Sequence, residues 1–192
     1  MGLPAAVLSP TSGLSQGLAS LPPHAIAGFP LLQDAGRVVG RYFKCQLQSA
    51  FETVEYDRQP ARLASLMVSG PQEQPIPAER LFALAAGEDA LLRLDRLCRL
   101  MHALNHFCID QRKEWLILPV HQRLFDYVRE GHGRAFASLL GHFGLSPERV
   151  VLALPLVAFE SPQSARMLAS FRSHGFRIGR RVQADGRVIA IR

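Results

Sequence analysis

The stretch Gly144-Leu145-Ser146-Pro147-Glu148-Arg149-Val150-Val151-Leu152-Ala153-Leu154 decides the fold. Gly144 suits the end of a helix, where a left-handed residue is needed. Ser146-Pro147-Glu148 leads into Val150–Leu154, a five-residue apolar run that reads as a strand buried on both faces. Working outward, Leu124–Val128 and Phe136–Phe143 mark a helix or helix pair, and Trp115–Val120 (WLILPV) is a second buried strand. On the other side Ser161–His174 reads as a helix with Ala165, Leu168, Ala169 and Phe171 inward. Gly175 and the short strand Phe176–Gly179 follow, then a turn at Asp185-Gly186 and a last strand, Val188–Ile191.

Further upstream, Leu91, Leu94, Leu97, Cys98, Met101 and Leu104 recur at helical spacing and predict a helix over Glu88–Phe107. Pro77 opens a shorter helix, Ala78–Ala86, with Gly87 at its end. Ala64–Val68 (ASLMV) is an apolar strand closed by Ser69-Gly70-Pro71, and Arg41–Tyr56 reads as a strand or strand pair. Strand, helices, strand, helix, strand, helix, strand and strand is the order of parallel βα units in an α/β protein. Residues 1–36 hold Asp34 as their only charged side chain and are rich in Ala, Gly, Ser, Pro and Leu, so a weakly ordered leader is expected, with the body beginning at Arg41.

The 192 residues, 48% hydrophobic and 20% charged, suit one soluble core and exclude a disordered chain. The net charge of +6 is almost all arginine, Lys44 and Lys113 being the only lysines. It favours an acidic partner only modestly. Cys45, Cys98 and Cys108 form no C-x-x-C pair and fit a reducing compartment. No run approaches the ~20 apolar residues of a membrane span, and the N-terminus lacks a signal peptide's basic region. A cytoplasmic location is the expectation.

In order, these segments resemble an EAL domain, the (β/α) barrel family that hydrolyses cyclic di-GMP. Gln48-Ser49 stands where the family has Gln-Pro, and Ala64-Ser65-Leu66-Met67-Val68 where it has Glu-Ala-Leu-Leu-Arg. Ile76-Pro77-Ala78-Glu79-Arg80-Leu81 is similar to its Ile-x-Pro-x-x-Phe segment, and Leu94-Asp95-Arg96 to the Leu-Asp-Arg opening its second helix. The lead into Val150-Val151-Leu152, and His174-Gly175-Phe176-Arg177-Ile178, complete the series. The resemblance implies an incomplete or modified TIM-type (β/α) barrel, with residues 1–40 as an extended leader and 41–192 as a degenerate EAL-like domain. A closed barrel needs eight strands and typically ~250 residues, so about six candidate strands leave an edge for a protein partner or a second copy to cover.

An active EAL domain holds divalent metals with carboxylates and an Asn, which activate water and neutralise phosphate. By the resemblance, the first Glu falls at Ala64, the Asn at Pro119, the next Glu at Ala153 and the paired Asp residues at Arg181 and Val182. The phosphate-contacting Arg falls at Val68. No metal and no cofactor are therefore expected. The leading expectation is a catalytically inactive regulator acting through protein–protein contacts in bacterial signalling or transcriptional control, through the edge near Val188–Ile191 and the helix Glu88–Phe107. The alternative is a non-hydrolysing cyclic di-GMP receptor using Gln48, Arg180 and Arg181, which the substitutions at Ser49 and Val68 argue against. An active phosphodiesterase ranks third.

Two further groupings reduce to simpler readings. Cys98, His102 and His106 recur every four residues, as zinc ligands on a helix would, but they coincide with the apolar stripe and read as core. The arginines from Arg166 to Arg192 would match nucleic acid in charge, yet lack interleaved aromatics and read as a solvated basic face.

Overall fold

The computed structural model describes residues 10–22, 26, 30–127, 132–160, 162–181 and 188–191. Its backbone is one mixed sheet with helices on one face. An antiparallel meander comes first: β1 (Leu31–Asp34), β2 (Arg37–Tyr42), β3 (Cys45–Tyr56) and β4 (Gln59–Ser69). Three strands then continue the sheet in parallel from β4, and a final one turns back. They are β6 (Trp115–Pro119), β7 (Val150–Leu154), β8 (Arg177–Arg181) and the antiparallel β9 (Val188–Ile191), while the two-residue β5 (Pro75–Ile76) pairs with the end of β4.

The expected boundary between residues 40 and 41 falls inside β2. The stretch assigned to a leader includes β1 and most of β2, with Leu31, Val38 and Val39 buried, and a helix, α1 (Pro10–Ala19), that packs against β1. Burial of these apolar side chains offsets the chain entropy that composition alone would leave unopposed.

Between the parallel strands run α2 (Ala78–Leu84), α3 (Gly87–Ala103), α4 (His132–His142) and α5 (Pro162–Ser173). The expected Glu88–Phe107 helix is α3 plus a wider, π-helical turn over Leu104–Ile109. Leu91, Leu94, Leu97 and Met101 are fully buried, and α3 lies across β2, β3 and β6.

Strand alternation divides the side chains between two clusters. Leu47, Ala64, Val68, Leu116, Leu118, Leu152 and Ile178 join the main core under the helices. Their neighbours Tyr56, Ala61, Ile117, Val151, Ala153 and Val188 form a second cluster on the opposite face, flanked by Val54, Leu63, Trp115 and Ala190. That second face corresponds to a barrel's interior, and no strand ladder closes it: β9 packs beside β3 without pairing to it among the described residues. Instead the end of the β3–β4 hairpin and β9 fill it. The Tyr56 hydroxyl donates to the Ile178 carbonyl at 3.2 Å, and the Arg177 guanidinium lies 4.3 Å from the Trp115 ring centroid.

Candidate functional site

In an open α/β sheet, sites gather at the C-terminal ends of the parallel strands. There the second face carries Pro119 on β6, Ala153 on β7 and Gly179 on β8, aligned in one row by the registers Pro119↔Ala153 and Ala153↔Gly179. Arg181, exposed at the end of β8, stands two residues beyond that row on the same face. Gln48 is exposed on β3 opposite Met67, itself exposed on β4. From β3 to β8 the order crosses β4, β6 and β7, so Gln48 and Arg181 are separated by four strand spacings, roughly 19 Å along the sheet.

Three of the sequence-derived positions do not join this group. Ala64 and Val68 point to the opposite face, where both are buried beneath the helices with Leu47. Their side chains pack the core, so a metal ligand or phosphate contact at those two positions would not reach the strand-end face. Arg180 neighbours Arg181 in a strand, so the two side chains diverge to opposite faces and cannot grip one ligand together. Val182 and the Asp185-Gly186 turn lie outside the described residues.

Around the loops that follow these strand ends, His121 stacks on Phe82 with ring centroids 4.3 Å apart. Arg123 donates to the Phe82 carbonyl at 2.7 Å and thereby ties the loop after β6 to α2. Leu84, Leu156 and Val157, on α2 and on the turn after β7, are exposed apolar side chains.

A second polar grouping sits at the other end of α3, where His102 and His106 are core residues, as their place in the apolar stripe implies, and Asn105, which the sequence did not single out, joins them. His102, Asn105 and His106 are all buried, at 4%, 1% and 0% exposure. The Asn105 amide donates to the Val38 carbonyl at 2.7 Å and to Ser49 Oγ at 3.1 Å, and accepts from the Val38 N–H at 2.9 Å. His102 Nδ1 meets Ser49 Oγ at 2.8 Å, and burial pushes its pKa down to about 4, so the ring is neutral. His106 Nε2 faces the Glu114 carbonyl at 3.0 Å. The two imidazoles thus serve different partners, and burial raises the Cys98 thiol far above its ordinary range. Among the described residues no group of three His, Cys, Asp or Glu side chains is placed to hold a metal ion.

With this geometry in place, the class of fold is clear from known structures: the chain has an EAL-like fold. It superposes on the EAL domain of FimX from Pseudomonas aeruginosa, crystallised with cyclic di-GMP, with a TM-score of 0.56 and 20% identity, over 70% of this chain and 56% of that one. Klebsiella pneumoniae BlrP1, in a manganese and cyclic di-GMP complex, gives a TM-score of 0.57 at 16% identity over 92% of this chain and 45% of that one. The FimX EAL domain of Xanthomonas citri, in complex with cyclic di-GMP, gives 0.52 at 14% identity over 88% and 60%. The chain therefore spans about half the length of the structures it matches. No protein-family model matches the sequence, and no curated protein does. Among the described residues no helix is long and apolar enough to cross a membrane.

Proposed function

We propose that this chain is a non-catalytic, EAL-like regulator of bacterial cyclic di-GMP signalling that acts in the cytoplasm through contacts with another protein. The observation that carries this reading is the composition of the strand-end face. Gln48, Met67, Pro119, Ala153 and Arg181 offer no carboxylate, and among the described residues Glu52 on the same face of β3 has no second and third ligand beside it, where hydrolysis of a phosphodiester by activated water requires several. Support for the signalling part of this reading comes from the EAL-like fold, shared with structures crystallised with cyclic di-GMP. Exposed Met67, Leu84, Leu156 and Val157 supply apolar contact area of the kind that protein interfaces bury.

The test is incubation of the purified chain with cyclic di-GMP and manganese or magnesium, followed by chromatography of the nucleotide and by calorimetric titration. No product and no saturable heat are expected. Metal-dependent product would overturn the reading. Binding without product would replace it with the receptor reading, which Arg181 and Gln48 favour by sharing the strand-end face. That outcome would direct mutagenesis to these two residues rather than to Arg180.

A further inference from the structure

The β2–β3 ladder ends early. It pairs Tyr42↔Cys45, Arg41↔Gln46 and Gly40↔Leu47, after which the two strands part, although β2 runs on to Arg37 and β3 to Tyr56. Asn105 is wedged where they part, its amide standing in for the missing strand partner of Val38. The parting opens a cleft of about 350 Å³, lined among others by Val38, Ser49, Phe51, Arg37, Arg62 and Asn105. This volume lies near the lower end of small-ligand pockets, ~300–1,000 Å³. The cleft is on the helix side of the sheet, beside the start of β6, since Arg62 pairs with Leu116. Gln48, on the strand-end face, also lines it, so the cleft borders that face at β3.

Two guanidinium groups are fixed at this cleft. Arg62 Nη1 donates to Asp110 Oδ2 at 2.7 Å, and Arg37 Nη1 donates to the other oxygen of the same carboxylate. Asp110 follows the π-helical turn directly. The Arg62 side chain is 18% exposed and lies 4.3 Å from the Phe51 ring centroid, and its hydrogen bond to Asp110 is made through Nη1, which leaves Nε and Nη2 as further donors. Asp110 and Asp34, the latter on the far lip and accepting from Gln46 Nε2 at 3.4 Å, balance the two arginines, so an anion here would be held by directed N–H donors rather than by net charge. A planar guanidinium held in place with free N–H donors is the arrangement that binds a carboxylate or phosphate oxygen pair. The half-buried Phe51 supplies the apolar wall against which the body of such a molecule would lie.

We infer that the cleft between β2 and β3 is a binding site for a small organic molecule bearing one carboxylate or phosphate group on a flat apolar body, with Arg62 and Arg37 holding the oxyanion. The test uses the full chain and ligand-observed NMR titration with three probes: benzoate, phenyl phosphate and inorganic phosphate. Benzoate or phenyl phosphate is expected to saturate with a dissociation constant of about 0.1–1 mM, the strength open to ~10 heavy atoms. Which of the two binds tighter distinguishes a carboxylate from a phosphate ligand, and inorganic phosphate, without the apolar body, is expected to bind at least about tenfold more weakly. Arg62→Gln should weaken the better probe about tenfold or more, and Arg37→Gln, at a half-exposed side chain whose loss spares the core, about threefold. Absence of saturation up to about 10 mM with all three probes, or equal affinity in the wild type and both variants, overturns the proposal.

Discussion

Val188 on β9 occupies the space that a side chain at residue 179 on β8 would need: a Cβ built on Gly179 stands 2.5 Å from Val188 Cγ1 and 3.2 Å from Val151 Cγ1. The face that a barrel would leave as its interior is closed here by that fit, together with Tyr56 and Trp115. Gly179→Ala is expected to destabilise the fold by about 1–3 kcal/mol, the usual penalty for overpacking. Adding Val188→Ala should recover part of that loss. A double-mutant cycle in urea measures the coupling, and strict additivity would show that β9 does not pack on β8 in this way.

Asn105 satisfies both polar groups of the Val38 peptide and one contact of Ser49 from a position that is 1% exposed. Asn105→Ala leaves the Val38 N–H and carbonyl without this partner, while Ser49 keeps His102, so a loss of about 2–4 kcal/mol is expected in chemical denaturation. A loss under about 0.5 kcal/mol would mean that water replaces the amide.

Acidification should act through His102. Its folded pKa of about 4 lies below the ordinary 6.5, so the unfolded chain takes up the proton first as pH falls. Stability is then full above about pH 6.5, declines between about 6.5 and 4, and levels off for this group below that, by at most about 3 kcal/mol. Burial shifts His106 and His121 in the same direction. Asp110 acts in a lower window. Burial opposes its ionisation, but Arg62 and Arg37 outweigh it and hold the carboxyl below its usual range, so its contribution fades only as pH falls below about 4. Unfolding curves across pH 7 to 4 should show a shallower slope in His102→Gln than in the parent chain.

On α3, Asp95 and Arg99 form an ion pair buried from solvent, with Arg99 4.6 Å from the Phe136 ring centroid. Burial drives the Asp95 carboxyl upward against the pull of Arg99. Arg99→Met alone should cost about 3–5 kcal/mol by leaving that carboxylate without its partner, whereas Asp95→Leu with Arg99→Met should be close to neutral. Thermal melts of the three chains rank them directly. A double variant as unstable as Arg99→Met would assign the loss to packing rather than charge.

The elements legible in the sequence are those whose pattern is set by burial. The Leu-rich stripe of α3 and the apolar runs Trp115–Pro119 and Val150–Leu154 occur where they were expected. The β3–β4 hairpin was harder to read because its turn is Asp57-Arg58, both with positive φ and neither a glycine. β1 and β2 hid in a composition typical of leaders, since their burial comes from α1 and α3, distant partners that local pattern does not reveal. At the candidate site, Pro119 and Ala153, which the resemblance aligned with ligand positions, share one row of the second face. The facing of Ala64 and Val68 depended on strand register, which a shift of one residue inverts. The Asn105, His102 and Ser49 grouping joins residues 53 and 56 positions apart, with no spacing signal to mark it.

The parallel ladder joining β4 to β6 comprises three residue pairs, Ala61↔Trp115, Arg62↔Leu116 and Leu63↔Ile117, against eleven between β3 and β4. It is the seam of the molecule, and α3 spans it, packing on β2 and β3 to one side and on β6 to the other. The antiparallel and parallel halves therefore meet twice, through this ladder and through their common packing on α3. A substitution that displaces α3 would thus disturb the packing of both halves at once.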